Sequence, residues 1–92
     1  MIKSFKCSDT GALFSGKRVK RFIHFERNAL RKLEQLDLAV IIEDMRSPPG
    51  NRLEALKGDR VGQWSVRIND QWRVCFRFEN GNALDVAIID YH

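Results

Sequence analysis

Residues 63–91 read Gln63-Trp64-Ser65-Val66-Arg67-Ile68-Asn69-Asp70-Gln71-Trp72-Arg73-Val74-Cys75-Phe76-Arg77-Phe78-Glu79-Asn80-Gly81-Asn82-Ala83-Leu84-Asp85-Val86-Ala87-Ile88-Ile89-Asp90-Tyr91. Trp64, Val66 and Ile68 alternate with Ser65, Arg67 and Asn69. Trp72, Val74, Phe76 and Phe78 alternate with Arg73, Cys75, Arg77 and Glu79, and Leu84, Val86 and Ile88 with Asp85, Ala87 and Ile89. Side chains along a strand point to opposite faces in turn, so a period of two marks three consecutive half-buried strands. Asn80-Gly81 is the strongest short hairpin signal, because both central residues of a type I′ turn need positive φ. Asn69-Asp70 marks the preceding turn. Leu53–Leu56, ahead of a Gly58-Asp59 turn, offers one further short strand.

Upstream the period changes. Phe22, Phe25, Ala29, Leu33 and Leu36 recur at steps of three and four, which predicts an amphipathic helix from about Val19 to Leu36. Asp37 is placed to cap a second helix, Leu38–Met45, with Ile41, Ile42 and Met45 turned inward. Ser47-Pro48-Pro49-Gly50 ends it, since proline lacks a backbone donor and turns the preceding residue away from α. Met1–Cys7 is expected as a short strand with Phe5 in the core. Ser8-Asp9-Thr10 is expected to cap a helical turn through Ala12, Leu13 and Phe14 that Gly16 interrupts. The expected fold is α+β, a small antiparallel sheet with two N-terminal helices packed on one face, in one domain spanning residues 1–92.

The 92-residue chain is 43% hydrophobic, enough for one core, and carries a net charge of +4. That balance favours polyanionic partners. Its distribution is uneven: Lys17, Arg18, Lys20, Arg21, Arg27, Arg31 and Lys32 face only Glu26 within residues 17–32. Such a segment is either a solvated helix face or a surface that docks RNA or a partner. The N-terminus has no apolar signal-peptide core, and Leu38–Ile42 is too short to cross a bilayer. Cys7 and Cys75 have no metal-site spacing, so a reduced, cytoplasmic protein is expected. No Walker A, dinucleotide-binding glycine pattern or zinc spacing occurs, which favours chemistry without metal or cofactor. His24 falls in the helical region, where a surface or packing role is the simpler one.

The sheet pattern sorts the chemistry. If Trp72, Val74, Phe76 and Phe78 face the helices, Arg73 and Arg77 face the other way, and Arg67 joins them. Asp85, Ala87, Ile89 and Tyr91 share that side on the last strand, with Lys57 entering from the neighbouring turn. Arginines on a sheet face are often merely solvated, Tyr91 could simply close the core edge, and Asp90 could pair with an arginine or face water. They also suit phosphodiester chemistry. A guanidinium presents a planar fork to phosphate oxygens, histidine titrates near neutrality, and tyrosine stacks on a base.

The residues that bear on identity are Met1-Ile2-Lys3-Ser4-Phe5, Arg46-Ser47-Pro48-Pro49-Gly50-Asn51-Arg52-Leu53-Glu54, Leu56-Lys57-Gly58-Asp59-Arg60, Ile68-Asn69-Asp70-Gln71-Trp72-Arg73 and Asp90-Tyr91-His92. In that order they make the chain resemble the HigB branch of the RelE superfamily, including the GraT toxins, over nearly its whole length. The resemblance implies a RelE-like fold and a toxin of a type II toxin–antitoxin system. It implies cleavage of mRNA in the ribosomal A site, near 16S rRNA, without metal, by attack of the ribose 2′-OH on the adjacent phosphate. Arg73 matches the arginine that stabilises the phosphorane. Asp90, Tyr91 and His92 match the C-terminal site residues, and Lys57 matches a basic residue of the cleft. Some members have histidine where this chain has Glu54, so the general base is either Glu54, with its carboxyl buried, or His92. Arg67, Arg77 and the basic residues between Lys17 and Lys32 are the expected RNA contacts. A HigA-like helix-turn-helix antitoxin is the implied protein partner. Two other functions fit the same basic surfaces: a ribosome- or RNA-binding module without catalysis, and an antitoxin-bound corepressor.

Overall fold

A computed structural model describes residues 1–91. The expected role of His92 falls outside the described residues. Four strands form one sheet in the order β1 (Glu54–Ala55), β2 (Gln63–Arg67), β3 (Trp72–Glu79) and β4 (Asn82–Asp90), every neighbouring pair antiparallel. Both hairpin signals hold. Asn80 and Gly81 have φ of 52° and 77°, the positive pair that joins β3 to β4. A Cβ on Gly81 would also come within 3.3 Å of the Val40 carbonyl, so glycine is needed there twice over. At the β2–β3 turn, Asn69 Oδ1 accepts from the backbone N–H groups of Gln71 and Trp72 at 2.9 and 2.8 Å, folding the chain back as an Asx turn does.

Two helices, α1 (Ser8–Phe14) and α2 (Glu26–Leu38), cover one face of the sheet. Phe22, Ala29, Leu33 and Leu36, with Met45, are fully buried against Val66, Val74, Phe76, Val86 and Ile88. Each large apolar side chain so buried contributes roughly 1.5–3 kcal/mol, and this layer therefore dominates the stability. Thr10 ties α1 to the sheet, its buried hydroxyl accepting the Ile88 N–H at 3.0 Å.

The structure corrects several local expectations. The predicted Val19–Leu36 helix is a 3₁₀ turn over Lys20–Phe25 followed by α2. Phe22 and Phe25 both pack on Trp72, at ring separations of 5.7 and 5.0 Å, and Phe25 leaves helical geometry at φ −134°, ψ 18°. The second helix over Leu38–Met45 is absent. Asp37 belongs to α2, and its carboxylate accepts the Ile2 N–H at 2.8 Å. Asp44 instead satisfies the Val40 and Ile41 N–H groups and starts a 3₁₀ turn at Ile42–Arg46. Met45 is buried as expected, but Ile41 is 54% exposed. Ser8, Asp9 and Thr10 lie inside α1 rather than capping it.

The last strand also departs from a uniform alternation. Asp85 has φ 53°, and the pairing of β3 with β4 shifts between Cys75 and Arg77. The bulge moves Leu84 opposite Arg77 and puts Ala83 into the core in its place. The N-terminal segment runs parallel to β4 beside the bulge, with single bridges at Ile2–Ala83 and Phe5–Val86 instead of a continuous strand. Ser4 Oγ accepts the Asp85 N–H at 2.9 Å there.

Candidate active site

The face of the sheet away from the helices is built from strand register. Glu54 lies opposite Ser65, Ser65 opposite Cys75, Arg67 opposite Arg73, and Arg73 opposite Ile89. This face is not simply exposed: Ser65, Cys75 and Ala87 are buried at its centre, and Leu56 is buried at its edge.

Arg73 occupies the middle, with its side chain only 13% exposed. Its Nε donates to Ser65 Oγ at 2.9 Å, and its Nη2 donates to the Arg52 carbonyl at 2.7 Å. Glu54 Oε1 stands 3.9 Å from Nη2, and the guanidinium carbon lies 5.7 Å from the centre of the Tyr91 ring. The guanidinium is therefore held from two sides while a carboxylate and an aromatic ring frame it. Tyr91 is 38% exposed, so its ring remains open to a base. Glu54 is also exposed, at 57%, so the burial invoked for its role as a proton acceptor is absent.

The carbonyl that holds Arg73 is itself fixed. Arg52 sits in the left-handed region at φ 46°, ψ 55°, immediately after Asn51. Asn51 is fully buried: its Nδ2 donates to the Gln35 side chain and to the Met45 and Ser47 carbonyls at 3.1, 3.0 and 3.3 Å, and its Oδ1 accepts from Lys32 Nζ. Helix α2, the proline loop and the arginine of β3 are thereby linked through one short segment. Burial lowers the Lys32 ammonium from the ordinary lysine value, and the positive charges of Arg31 and Arg67 lower it further. Lys32 and Arg67 thus belong to one positive rim of the site.

The sequence-predicted residues divide accordingly. Arg73, Glu54 and Tyr91 come together, and Arg67, opposite Arg73 in the register, pairs with Asp70 at 2.5 Å. Arg77 lies further along the same face and pairs with Glu79 at 2.8 Å. Lys57 is exposed in the loop between β1 and β2. Asp90 pairs with Trp72 in the register, which places it on the face away from Arg73, and it accepts from Gln71 Nε2 at 3.0 Å. Of the basic segment, Lys32 reaches this rim, and the charge of Arg31 acts on it there. Lys17, Arg18 and Arg27 line a separate cleft of about 290 Å³ with Leu13 and Leu30. Arg18 pairs there with Glu26, while Arg21 pairs with Asp9 and covers the Phe22 ring; Lys20 and Arg31 are exposed. The sequence pattern did not single out Ser65, Arg52, Asn51 or Arg60. Ser65 alone had a signal, its parity with Arg67 and Arg73. No group of three or more potential metal ligands occurs among the described residues, and none of their helices is long and apolar enough to cross a membrane.

The fold recurs in solved structures. A YafQ mutant from E. coli superposes with a TM-score of 0.58 at 13% identity, covering 98% of this chain and 91% of that one. The YoeB–YefM complex from Staphylococcus aureus gives 0.57 at 17% identity, covering 100% and 98%. Sequence relatives are closer. Toxin HigB-1 of Vibrio cholerae is 51% identical over 62 residues, which span 66% of this chain and 65% of that protein. Endoribonuclease HigB of Proteus vulgaris is 33% identical over the full length of both chains. The family model for the RelE-like toxin of the type II toxin–antitoxin system HigB matches residues 11–92. With the fold and these matches in agreement, the chain belongs to the HigB family of RelE-like toxins of type II toxin–antitoxin systems.

Proposed function

We propose that this toxin is an mRNA endonuclease that works in the ribosomal A site and inhibits translation, and that it is held in check by a helix-turn-helix antitoxin of the HigA kind in the cytoplasm. The endoribonuclease assignment follows the family and its full-length relative. The observation that supports the chemistry is Arg73, whose guanidinium is oriented by Ser65 and the Arg52 carbonyl on a face that also presents Glu54 and Tyr91.

In this mechanism the 2′-OH of the ribose attacks the adjacent phosphorus. The O2′–P bond forms, the P–O5′ bond breaks, and the products are a 2′,3′-cyclic phosphate and a free 5′-OH. The nucleophile's proton passes to a general base, Glu54 or His92, and the departing 5′ oxygen takes up a proton from water to leave as the 5′-OH. Of the two, Glu54 is the described residue beside Arg73. Arg73 stabilises the charge that builds on the non-bridging oxygens. A preorganised donor of this type contributes ~2.7–4 kcal/mol to lowering the barrier. Tyr91 stacks on the base, and Lys57 supplies a further positive charge at the cleft. Lys32, Arg67 and Arg77 guide the RNA backbone, while Lys17, Arg18, Lys20, Arg21, Arg27 and Arg31 meet 16S ribosomal RNA.

The test is cleavage of an mRNA on purified programmed ribosomes, with end-group analysis and a matched mRNA carrying 2′-deoxynucleotides in the A-site codon. Cut ends bearing a 2′,3′-cyclic phosphate, and no cut in the deoxy message, are expected. Arrest without cut ends would identify a binding module, and cleavage of the deoxy message would remove the 2′-OH mechanism.

A further inference from the structure

Arg60 lies in the 3₁₀ turn Gly58–Arg60 between β1 and β2, and its side chain enters the face that holds Arg73. Its Nη1 is 3.9 Å from the Sγ of Cys75. Cys75 is the cross-strand neighbour of Ser65, whose hydroxyl binds Arg73 Nε. Two guanidinium groups thus converge on one pair of adjacent residues. Burial pushes the Cys75 thiol up, and Arg60 and Arg73 both pull it back, Arg60 more strongly.

The bonding of the two arginines differs. Arg73 has strong oxygen acceptors, whereas among the described residues Arg60 makes no ion pair and its guanidinium donates to a thiol. A thiol is a weak acceptor for a guanidinium with several N–H donors. Arg60 is half-buried as well, so water does not fully replace the missing acceptors. A partly desolvated guanidinium without an oxygen acceptor favours an anion that can supply one, and the Glu54 carboxylate, 3.9 Å from Arg73, makes no ion pair with Arg60 among the described residues.

We propose that Arg60 and Arg73 form a two-arginine clamp on the scissile phosphate, each guanidinium donating to a non-bridging oxygen. The clamp rests on the endonuclease function proposed above and adds a phosphate-contacting residue to it. Both oxygens gain negative charge as the phosphorane forms, so a second fork raises the stabilisation of that state more than that of the bound RNA.

Two measurements test it on the full chain. One is the single-turnover cleavage rate on programmed ribosomes. The other is the affinity for a short single-stranded RNA blocked by 2′-deoxynucleotides, followed by fluorescence anisotropy across a salt series. Arg60→Ala is expected to slow cleavage by roughly 10²-fold and to reduce the salt slope of binding by about 0.7. Arg60→Lys should restore the slope but not the rate, because an ammonium keeps the charge and loses the fork. Thermal melts run alongside separate a structural role: a lowered melting temperature with an unchanged salt slope in both variants would overturn the clamp. So would a folded Arg60→Ala protein that cuts and binds as wild type. If Arg73→Ala lowers cleavage while Arg60→Ala does not, the clamp alone fails. If neither does, the endonuclease mechanism fails with it.

Discussion

Replacing Asn51 with alanine is expected to weaken both the fold and the site. Asn51 is fully buried and joins Lys32, Gln35, Met45 and Ser47 through one amide, while the next residue supplies the carbonyl that holds Arg73. Its two best Nδ2 bonds, to Met45 and Gln35, contribute about 1 kcal/mol each. Losing Oδ1 leaves the half-buried Lys32 ammonium without that acceptor, a further cost of about 1–2 kcal/mol after allowing for partial access to water. The sum is about 3–4 kcal/mol. At about 4–8 °C per kcal/mol for a domain this size, the melting temperature should fall by roughly 12–30 °C. Chemical denaturation of the two proteins, fitted with a shared m-value, gives the free-energy difference directly. Cleavage measured well below the lower melting point should drop as well, because the Arg52 carbonyl loses its anchor. A decrease under about 1 kcal/mol would show that the loop is held by other contacts. Unchanged cleavage in the destabilised protein would show that Arg73 does not depend on this loop.

Three further outcomes follow from named contacts. Arg67→Ala should reduce the salt slope for short blocked RNA by about 0.7, whereas Arg27→Ala should affect ribosome binding only; equal effects on free RNA would erase the distinction between rim and helix face. Ser65→Ala, which removes the Nε acceptor at 2.9 Å, should slow cleavage about 10-fold with the affinity for blocked RNA nearly unchanged, and a binding defect of equal size would contradict a positioning role. Burial pushes the Cys7 thiol up, but hydrogen bonds from Thr10 and Asp9 and the charge of Arg21 outweigh it and leave it lowered, whereas burial dominates at Cys75 and raises it. A lower value means more thiolate at a given pH, so iodoacetamide should alkylate Cys7 before Cys75 at neutral pH; mass spectrometry showing the reverse order would refute this.

The sheet was legible because strand period and turn chemistry are local. Trp64 to Ile68 and Trp72 to Phe78 fall on the faces their alternation assigns, and Asn80-Gly81 turns where positive φ demands it. Leu84 misled, because the Asp85 bulge inserts a residue and nothing in the apolar pattern marks it. The helical half was less legible. Leu38, Ile41 and Ile42 look like a helix face, but Asp44 captures the Val40 and Ile41 N–H groups and ends that option locally. At the site, Arg73, Arg67 and Tyr91 followed from parity. Asn51 and the Arg52 carbonyl did not, because their role comes from a tertiary contact with α2 and from a backbone group that carries no side-chain signal. The bonds of Arg60 likewise depend on how one short turn folds over β3. Asp90 was assigned by resemblance alone, and its position opposite Trp72 follows the same alternation that sets Arg73.

Arg73 is the group on which the chemistry turns, so the decisive measurement is the single-turnover cleavage rate of mRNA on programmed ribosomes with wild type, Arg73→Ala and Arg73→Lys, each verified by its melting curve. Arg73→Ala loses its bonds to Ser65 and Arg52, and its stability should fall by only about 1–2 kcal/mol, since this arginine lies outside the apolar core. Its cleavage rate should fall by roughly 10²–10³-fold with ribosome binding retained. Arg73→Lys should recover little of that rate, because the planar fork is gone. A folded, ribosome-bound Arg73→Ala protein that cuts at the wild-type rate would contradict an arginine-centred phosphodiester site.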